Sequence, residues 1–114
     1  MNSFVVYGKI RGKGRPRFAR GHTYTPEKTV EYENLIKRYF LTSSRIKHTA
    51  EVGMIITCIF TKKIICKPDI DNIAKIVLDS LNGLAYEDDT QVVKLEIEKQ
   101  LGEEECLIIE TYDF

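Results

Sequence analysis

The sequence lacks several features that would place it in a familiar class of protein. No apolar run approaches the length of a membrane-spanning helix. The N-terminus has neither the charge pattern nor the cleavage site of a secretory signal. No repeat, low-complexity tract or linker divides the chain. We therefore expect a cytoplasmic protein without membrane contact, folded as a single domain over residues 1–114.

Residues suited to zinc, thiol or cofactor chemistry are also scarce. The three cysteines, Cys58, Cys66 and Cys106, have no C-x-x-C spacing, and we expect reduced, mostly buried thiols. His22 and His48 are isolated in predicted loops, which favours solvated side chains over zinc ligands. The segment GKGRPR is neither a Walker loop nor a dinucleotide fingerprint. We expect no organic cofactor, and no activated serine or cysteine nucleophile is indicated.

The charges that are present are unevenly distributed along the chain. It carries 17 basic and 17 acidic residues, so its formal net charge is zero. Residues 1–67 nevertheless have a balance of +10, and residues 68–114 have a balance of −10. Such an asymmetry predicts a polyanionic partner for the basic part, unless the two parts neutralise each other by packing together.

Apolar periodicity predicts the order of the secondary-structure elements. Strands are predicted where apolar residues alternate or run continuously, and helices where they recur at helical spacing. The predicted strands are residues 3–10, 51–60, 91–99 and 106–114, the predicted helices are residues 25–40 and 69–81, and residues 11–24 are predicted to form a loop. The order β-α-β-α-β-β predicts an α/β (α+β) domain in which two main helices pack on a mixed β-sheet.

Local signals refine these predictions. Thr25 is a suitable N-cap for the first helix, and Pro26 suits its first turn. Gly83 supplies a stop for the second helix. The nearly continuous apolar character of residues 51–60 predicts a central strand, and the alternation in residues 91–99 predicts a half-buried one. The residues on its buried face are predicted to be Val93, Leu95 and Ile97.

Two groups of carboxylates flank the second predicted helix. Asp69 and Asp71 lie at its start, and Asp88 and Asp89 follow its end. Each group has an ordinary explanation, because aspartate caps helices and favours the positive end of the helix dipole, and acidic turns are common. An N-cap, however, needs only one aspartate. We expect the strands before Pro68 and after Asp89 to end near the same sheet edge, so that the two groups converge.

Clustered carboxylates of this kind favour a hard cation. Mg²⁺ and Mn²⁺ prefer oxygen ligands, and such ions assist phosphodiester cleavage by activating water and stabilising the leaving oxygen. Lys75 lies four residues after Asp71, on a polar helix face that also carries Asp79. It is suited either to ordinary salt bridges at this spacing or to a position beside a metal-bound phosphate.

A glycine-rich basic segment precedes the first helix. Its six cations, with no acid among them, are Lys9, Arg11, Lys13, Arg15, Arg17 and Arg20. A solvated charged loop would explain them. Repeated arginine on a glycine-rich backbone also fits a loop that grips phosphates, and Phe18 or Tyr24 could stack on an unpaired base. We therefore predict nucleic-acid contact along this segment.

These motifs resemble those of the RusA family of Holliday junction resolvases, which are crossover junction endodeoxyribonucleases. Residues 67–99, KPDIDNIAKIVLDSLNGLAYEDDTQVVKLEIEK, are similar to the family pattern of D-x-D-N, a lysine, D-x-L-N-G, D-D-x-Q and a closing strand with lysine. The segments GKGRPRF and TYTPEKTVEYE also resemble family segments. Residues 41–65 and the C-terminal tail carry no diagnostic motif.

The resemblance implies a small homodimeric endonuclease, of a kind common in phages and prophages. Such enzymes act in DNA recombination and repair, and cut four-way junctions by paired symmetric nicks with Mg²⁺ or Mn²⁺. By position, Asp69, Asp71 and Asp89 would be the essential acidic residues and metal ligands. Asp88 is the neighbouring alternative ligand, and Lys75 matches the lysine that supports catalysis.

Two other functions remain compatible with the sequence. One is a metal-dependent nuclease for flaps or other branched DNA. The other is a catalytically silent protein that binds junctions, which the intact Asp69, Asp71, Lys75 and Asp89 disfavour.

Overall fold

A four-stranded mixed sheet organises the protein. The computed structural model describes residues 2–14, 17–19, 21–43 and 46–114, with only the backbone of Arg17. The strands are β1 (Asn2–Tyr7), β2 (Arg17–Ala19), β3 (His22–Tyr24), β4 (Val52–Phe60), β5 (Val92–Leu101) and β6 (Cys106–Asp113), and the helices are α1 (Glu27–Leu41) and α2 (Ile70–Leu81). The sheet has the order β1-β6-β4-β5. Strand β4 is antiparallel to β6 and parallel to β5, which confirms the predicted α+β fold with a mixed sheet and two helices.

The core lies between one face of the sheet and both helices. Strand β4 contributes five alternate side chains with no solvent exposure. No residue of the strand is exposed, in agreement with its nearly continuous apolar sequence. Fully burying one such side chain stabilises the fold by roughly 1.5–3 kcal/mol. The helical contributors include Tyr32, Ile36 and Phe40 of α1 and Ile73, Ile76 and Val77 of α2. Among the helices of the described residues, none is long and apolar enough to cross a membrane.

The helix ends follow local signals, with one correction. Helix α2 ends at Leu81 as predicted, and Gly83 then adopts a φ of 82°, a conformation that favours glycine. Helix α1 begins later than predicted. Pro26, not Thr25, occupies its N-cap position, because the Pro26 backbone is still extended with a ψ of 142°. The Pro26 carbonyl accepts the first hydrogen bonds, from the amides of Thr29 and Val30.

Two predicted segments differ in the structure. The segment predicted as a loop over residues 11–24 contains a short hairpin, in which β2 and β3 pair antiparallel around Gly21, whose φ is 79°. Strand β5, predicted to be half-buried through Val93, Leu95 and Ile97, is one of the two edge strands of the sheet. Val93 and Leu95 are 51% and 38% exposed, and of the three residues only Ile97 packs against the core.

The three cysteines are free thiols, as expected. Cys58 and Cys106 are buried in β4 and β6, whereas Cys66 is exposed just before α2. Burial raises the pKa of the Cys58 thiol to about 11. A thiol with so high a pKa is not a nucleophile at neutral pH.

Candidate nucleic-acid and metal site

A cleft of about 650 Å³ opens where the glycine-rich segment meets the start of α2. We call it the carboxyl-end cleft, because it lies beyond the carboxyl end of β4. Its charged lining consists of Lys9, Arg11, Lys28, Lys67, Asp69 and Glu105. One of the two carboxylates, Glu105, already accepts a hydrogen bond from the Ile10 amide at 2.6 Å. The cleft therefore presents four cations around Asp69, as a phosphate-binding surface requires.

Backbone contacts hold the glycine-rich segment against both helices. The Lys13 amide donates to the Asn72 carbonyl at 2.9 Å, and the Gly14 amide donates to Thr29 Oγ1 at 3.0 Å. At Gly12, an added Cβ would lie 2.9 Å from the Cβ of Asn72. Glycine is therefore required there for the backbone to approach the first turn of α2 so closely.

Lys13 joins three parts of the chain. Its ammonium lies 2.8 Å from Glu33 Oε2 in α1 and 3.1 Å from Asp79 Oδ2 in α2, and its side chain is only 20% exposed. Partial burial lowers the pKa of Lys13, but the hydrogen bonds to Glu33 and Asp79 outweigh it, so that the pKa is raised overall. This geometry favours a positioning role for Lys13 over the predicted contact with DNA.

The other predicted DNA-binding residues divide into two groups. Lys9 is exposed and Arg11 is half-buried, and both line the carboxyl-end cleft. Arg15, Arg20 and the Arg17 side chain lie outside the described residues, so their predicted role stays a prediction. On the hairpin, Phe18 is 76% exposed and Tyr24 is 48% exposed. Both rings are accessible for the predicted stacking on a base.

The two aspartates at the start of α2 are not explained by helix capping. Asp69 occupies the N-cap position, but its side chain makes no capping hydrogen bond. Asp71 lies in the first turn, and both residues are exposed. The helix gains its first backbone hydrogen bond from the Asp69 carbonyl, which accepts from the Ile73 amide at 3.0 Å. Both carboxylates therefore remain accessible to a ligand.

The ion pair described for Lys75 is with Asp79, four residues later in α2. Its Nζ lies 3.7 Å from Asp79 Oδ2, and its side chain is 63% exposed. An exposed pair at this distance contributes little to stability. Asp79 is also shared with Lys13. The Lys75 ammonium therefore remains available to a bound anion near Asp71.

The turn before β5 separates the roles of its two aspartates. The Asp88 carboxylate accepts a hydrogen bond from the Thr90 amide at 3.2 Å and forms a capping box with Gln91. The hydrogen bonds with Thr90 lower the pKa of Asp88. Asp88 therefore supplies the cap of this turn, and the neighbouring Asp89 is half-buried. Which of the two binds a metal stays a prediction.

The turn that holds Asp89 lies far from Asp69 and Asp71. Strands β4 and β5 run parallel, with Val52 opposite Val92 and Phe60 opposite Leu101. Asp69 follows the end of β4, whereas Asp89 precedes the start of β5. The length of a strand, about 30 Å at about 3.3 Å per residue, separates the two sheet ends. The expectation that these groups converge within one chain is wrong, because parallel strands start at one edge and end at the other.

One chain alone does not present the three-carboxylate metal site predicted from the sequence. Across residues 2–14, 17–19, 21–43 and 46–114, no group of three or more His, Cys, Asp or Glu side chains is arranged to hold a metal ion. This finding concerns only how the side chains are arranged within one chain. The predicted metal ligands therefore stay predictions; they are Asp69, Asp71, Asp89 and the alternative Asp88.

His48 is buried, contrary to the predicted solvated loop. Its Nδ1 lies 2.8 Å from Asp113 Oδ1, and its Nε2 lies 3.0 Å from Thr111 Oγ1. Its amide donates to the Ala85 carbonyl at 2.7 Å. Both ring nitrogens are therefore engaged with β6. Of the two histidines predicted to be solvated, only His22 is exposed, in β3. The prediction that neither histidine binds zinc is untested.

Comparison with known proteins agrees with these motifs. Residues 8–111 match the family model described as Endodeoxyribonuclease RusA. The chain belongs to the RusA family. It is also 42% identical to the uncharacterized protein YqaN of Bacillus subtilis (strain 168), over an alignment that covers 89% of this chain and 88% of that protein. RusA membership indicates a Holliday junction resolvase nuclease that binds branched DNA, and confirms the predicted resemblance.

Gln91 of the RusA-like D-D-x-Q motif has a role that the sequence analysis did not assign. Its Oε1 accepts from the amides of Glu87 at 2.8 Å and Asp88 at 3.2 Å. Its Nε2 donates to the carbonyls of His48 at 3.2 Å and Ala50 at 2.9 Å. The carboxamide thus fixes the Asp88–Asp89 turn to the segment that enters β4. A glutamine placed three residues after an N-cap is the signal for this role.

Replacing Gln91 with alanine is expected to lower the free energy of unfolding by about 1–3 kcal/mol, because four hydrogen bonds are lost from a partly exposed position. Urea denaturation measures this change. Gln100→Ala is the matched control, since Gln100 is exposed and contacts only Glu98 at 3.0 Å among the hydrogen bonds described for its side chain. Equal effects of the two substitutions would show that Gln91 does not fix the turn.

Proposed function

We propose that this RusA-family protein is a divalent-metal-dependent endodeoxyribonuclease that resolves four-way DNA junctions by paired symmetric nicks in recombination and repair. The observation that carries the proposal is the carboxyl-end cleft. It places Lys9, Arg11 and Lys67 around Asp69, a carboxylate that the helix does not use as a cap. A cleft of this composition suits both binding and cleavage of a phosphodiester.

The cations of the cleft serve to bring DNA to the carboxylates. A site made only of aspartates would repel a phosphate backbone, whereas surrounding lysine and arginine side chains attract it and offset that repulsion. Arg11 is half-buried, so its guanidinium has a restricted position from which to contact a phosphate. Lys75 is largely exposed one turn after Asp71, and its ammonium would contact a second phosphate oxygen.

The exposed carboxylates of Asp69 and Asp71 are suited to Mg²⁺ or Mn²⁺. Both ions take oxygen ligands, and Mg²⁺ keeps several waters when only one or two carboxylates bind it. When bound, such an ion supplies positive charge to the phosphate and a more acidic water. The two aspartates of one chain form an incomplete set, and Asp89 is the third ligand that the family resemblance implies.

A cleavage assay on a synthetic four-way junction tests the proposed function. We expect symmetric nicks in opposed strands with Mg²⁺ or Mn²⁺ and none with EDTA, while linear duplex of the same sequence stays intact. Equal cleavage of a flap substrate would favour a nuclease for branched DNA in general. Junction binding without cleavage in any divalent metal would show a silent junction-binding protein and contradict the proposal.

Lys9 and Lys13 should respond differently to neutralisation. We expect Lys9→Gln to lower the slope of log affinity against log salt concentration by about one, because one phosphate contact is lost. Lys13→Gln should leave the slope unchanged and instead lower stability by about 1 kcal/mol, through loss of its pairs with Glu33 and Asp79. Salt titrations of junction binding and urea denaturation of both variants measure these effects. An unchanged slope for Lys9→Gln would contradict its predicted role.

A further inference from the structure

We propose that Lys13 is a positioning residue that keeps the Lys75 ammonium available to the substrate, by occupying the carboxylate of Asp79. The inference rests on the proposed nuclease function, in which Lys75 contacts a phosphate oxygen near Asp71. It concerns a contact between the glycine-rich segment and α2 that DNA binding does not explain, because Lys13 is mostly buried. The family resemblance points to Lys75 but not to a residue that controls its position.

One oxygen of Asp79 has two cationic neighbours. Lys13 Nζ lies 3.1 Å from Asp79 Oδ2, within hydrogen-bonding distance, whereas Lys75 Nζ lies 3.7 Å from the same oxygen. The side chain of Lys13 is 20% exposed and that of Lys75 is 63% exposed. The shorter and less exposed pair is the stronger one, because water and salt screen it less. Asp79 is therefore bound mainly by Lys13, and Lys75 keeps only a weak contact.

Lys13 is held in place by contacts other than the one with Asp79. Its Nζ lies 2.8 Å from Glu33 Oε2, on a side chain of α1 that is only 16% exposed. Its amide donates to the Asn72 carbonyl in the first turn of α2 at 2.9 Å. Because both the backbone and the ammonium of Lys13 are fixed, the cation stays beside the Asp79 carboxylate.

Helical spacing places the competing groups on one face of α2. Asn72, Lys75 and Asp79 follow one another at intervals of three and four residues, so they are neighbours on the helix surface. A lysine and an aspartate four residues apart form an ordinary surface pair when the carboxylate has no stronger partner. Without the Lys13 ammonium, Lys75 would pair with Asp79 and turn away from Asp71, which lies one turn in the other direction.

The charge of Lys13 acts on Lys75 in a second way. Both ammoniums lie close to one oxygen, so they repel each other. Partial burial works against the charge of Lys13, but the hydrogen bonds to Glu33 and Asp79 raise its pKa overall, so the ammonium is charged at neutral pH. The repulsion favours positions of Lys75 on the side of Asp71. The glycine-rich segment thus orients the lysine of the site as well as lining the cleft.

Neutralising Lys13 should slow cleavage through its effect on Lys75. In Lys13→Gln, Asp79 pairs with Lys75, and we expect the cleavage rate of a pre-bound four-way junction in Mg²⁺ to fall about five-fold, as the strength of a partly exposed ion pair allows. Junction affinity should stay unchanged, because Lys75 acts on charge that develops during cleavage. A wild-type cleavage rate for Lys13→Gln would overturn the proposal.

A second substitution distinguishes this role from a structural one. Adding Asp79→Asn to Lys13→Gln removes the carboxylate that pairs with Lys75, so we expect the cleavage rate to return close to wild type. Asp79→Asn alone should cleave at the wild-type rate, and slower cleavage would show that Asp79 assists Lys75 instead of competing for it. A double variant as slow as Lys13→Gln would show that Lys13 only supports the fold. Either result contradicts the proposal.

Glu33→Gln is the matched control for stability. It removes the shorter of the two ion pairs of Lys13 but leaves the pair with Asp79. We expect urea denaturation to show a loss of stability comparable to that of Lys13→Gln, with an unchanged cleavage rate. Equal slowing of cleavage in the two variants would attribute the effect to destabilisation and contradict the proposal.

Lysine labelling tests the proposal without any requirement for cleavage. An acylating reagent reaches the exposed Lys75 side chain, and a nearby carboxylate favours the protonated, unreactive form of an amine. Relative to the exposed Lys62 in the same DNA-free protein, labelling of Lys75 should slow about two-fold or more in Lys13→Gln and recover when Asp79→Asn is added. Mass spectrometry measures both rates. Equal labelling of Lys75 in all variants would overturn the proposal, whereas an inactive wild-type protein with the expected labelling would contradict only the proposed nuclease function.

Discussion

Replacing Asp71 with asparagine is expected to reduce junction cleavage about a thousand-fold, because losing a metal ligand removes several kcal/mol of charge stabilisation at about 1.4 kcal/mol per factor of ten. Junction affinity should stay close to wild type, since the substitution removes a negative charge and no phosphate contact. Cleavage rates and binding isotherms on the same junction measure the two effects separately. Near-normal cleavage would rule out Asp71 as an essential ligand.

The turn before β5 provides a matched pair of substitutions for this prediction. Asp89→Asn should be as damaging as Asp71→Asn if Asp89 is the third ligand. Asp88→Asn should retain most of the cleavage, because asparagine also caps well and Asp88 accepts its hydrogen bond from Thr90. A greater loss from Asp88→Asn than from Asp89→Asn would reverse the assignment within this pair.

The second large effect is expected for DNA binding. A Lys9→Gln, Arg11→Gln double substitution removes two of the cations that line the carboxyl-end cleft. We expect the slope of log affinity against log salt concentration to fall by about two, and affinity at moderate salt to fall about ten-fold or more. Lys62→Gln, Lys63→Gln is the control, because both lysines are exposed and neither lines the cleft. Equal slopes for the two double variants would show that the cleft is not the DNA-binding surface.

Much of the fold could be predicted because the relevant signals are local. The stop after α2 follows from Gly83, whose positive φ few other residues tolerate. The central position of β4 follows from its continuous apolar sequence, because such a strand must be covered on both sides. The apolar pattern did not predict the position of β5 in the sheet. Alternation in Val93 and Leu95 predicts two faces of a strand, but not that the strand lies at the edge of the sheet.

The site was predicted less completely, because its geometry depends on pairing between distant segments. The residue types at Asp69, Asp71 and Asp89 follow from motifs, whereas their separation follows from the parallel pairing of β4 with β5. The helix between β4 and β5 is the connection that parallel strands require, and parallel pairing puts the start of β5 at the opposite end of the sheet from the end of β4. The expectation that the carboxylates converge did not take this crossover into account. The burial of His48 has a similar origin, since its partner Asp113 lies 65 residues further along the chain.

The proposed resolution of four-way junctions requires two coordinated active sites. Cleavage of a supercoiled plasmid that extrudes a cruciform tests it directly. A single nick relaxes the plasmid and removes the cruciform, so a second cut made later is not possible and nicked circles accumulate. Two cuts made within one binding event instead convert the plasmid straight to the linear form. We predict linear product with Mg²⁺ and none with EDTA. Accumulation of nicked circles as the main product, or no cleavage of the cruciform in either Mg²⁺ or Mn²⁺, would contradict the account.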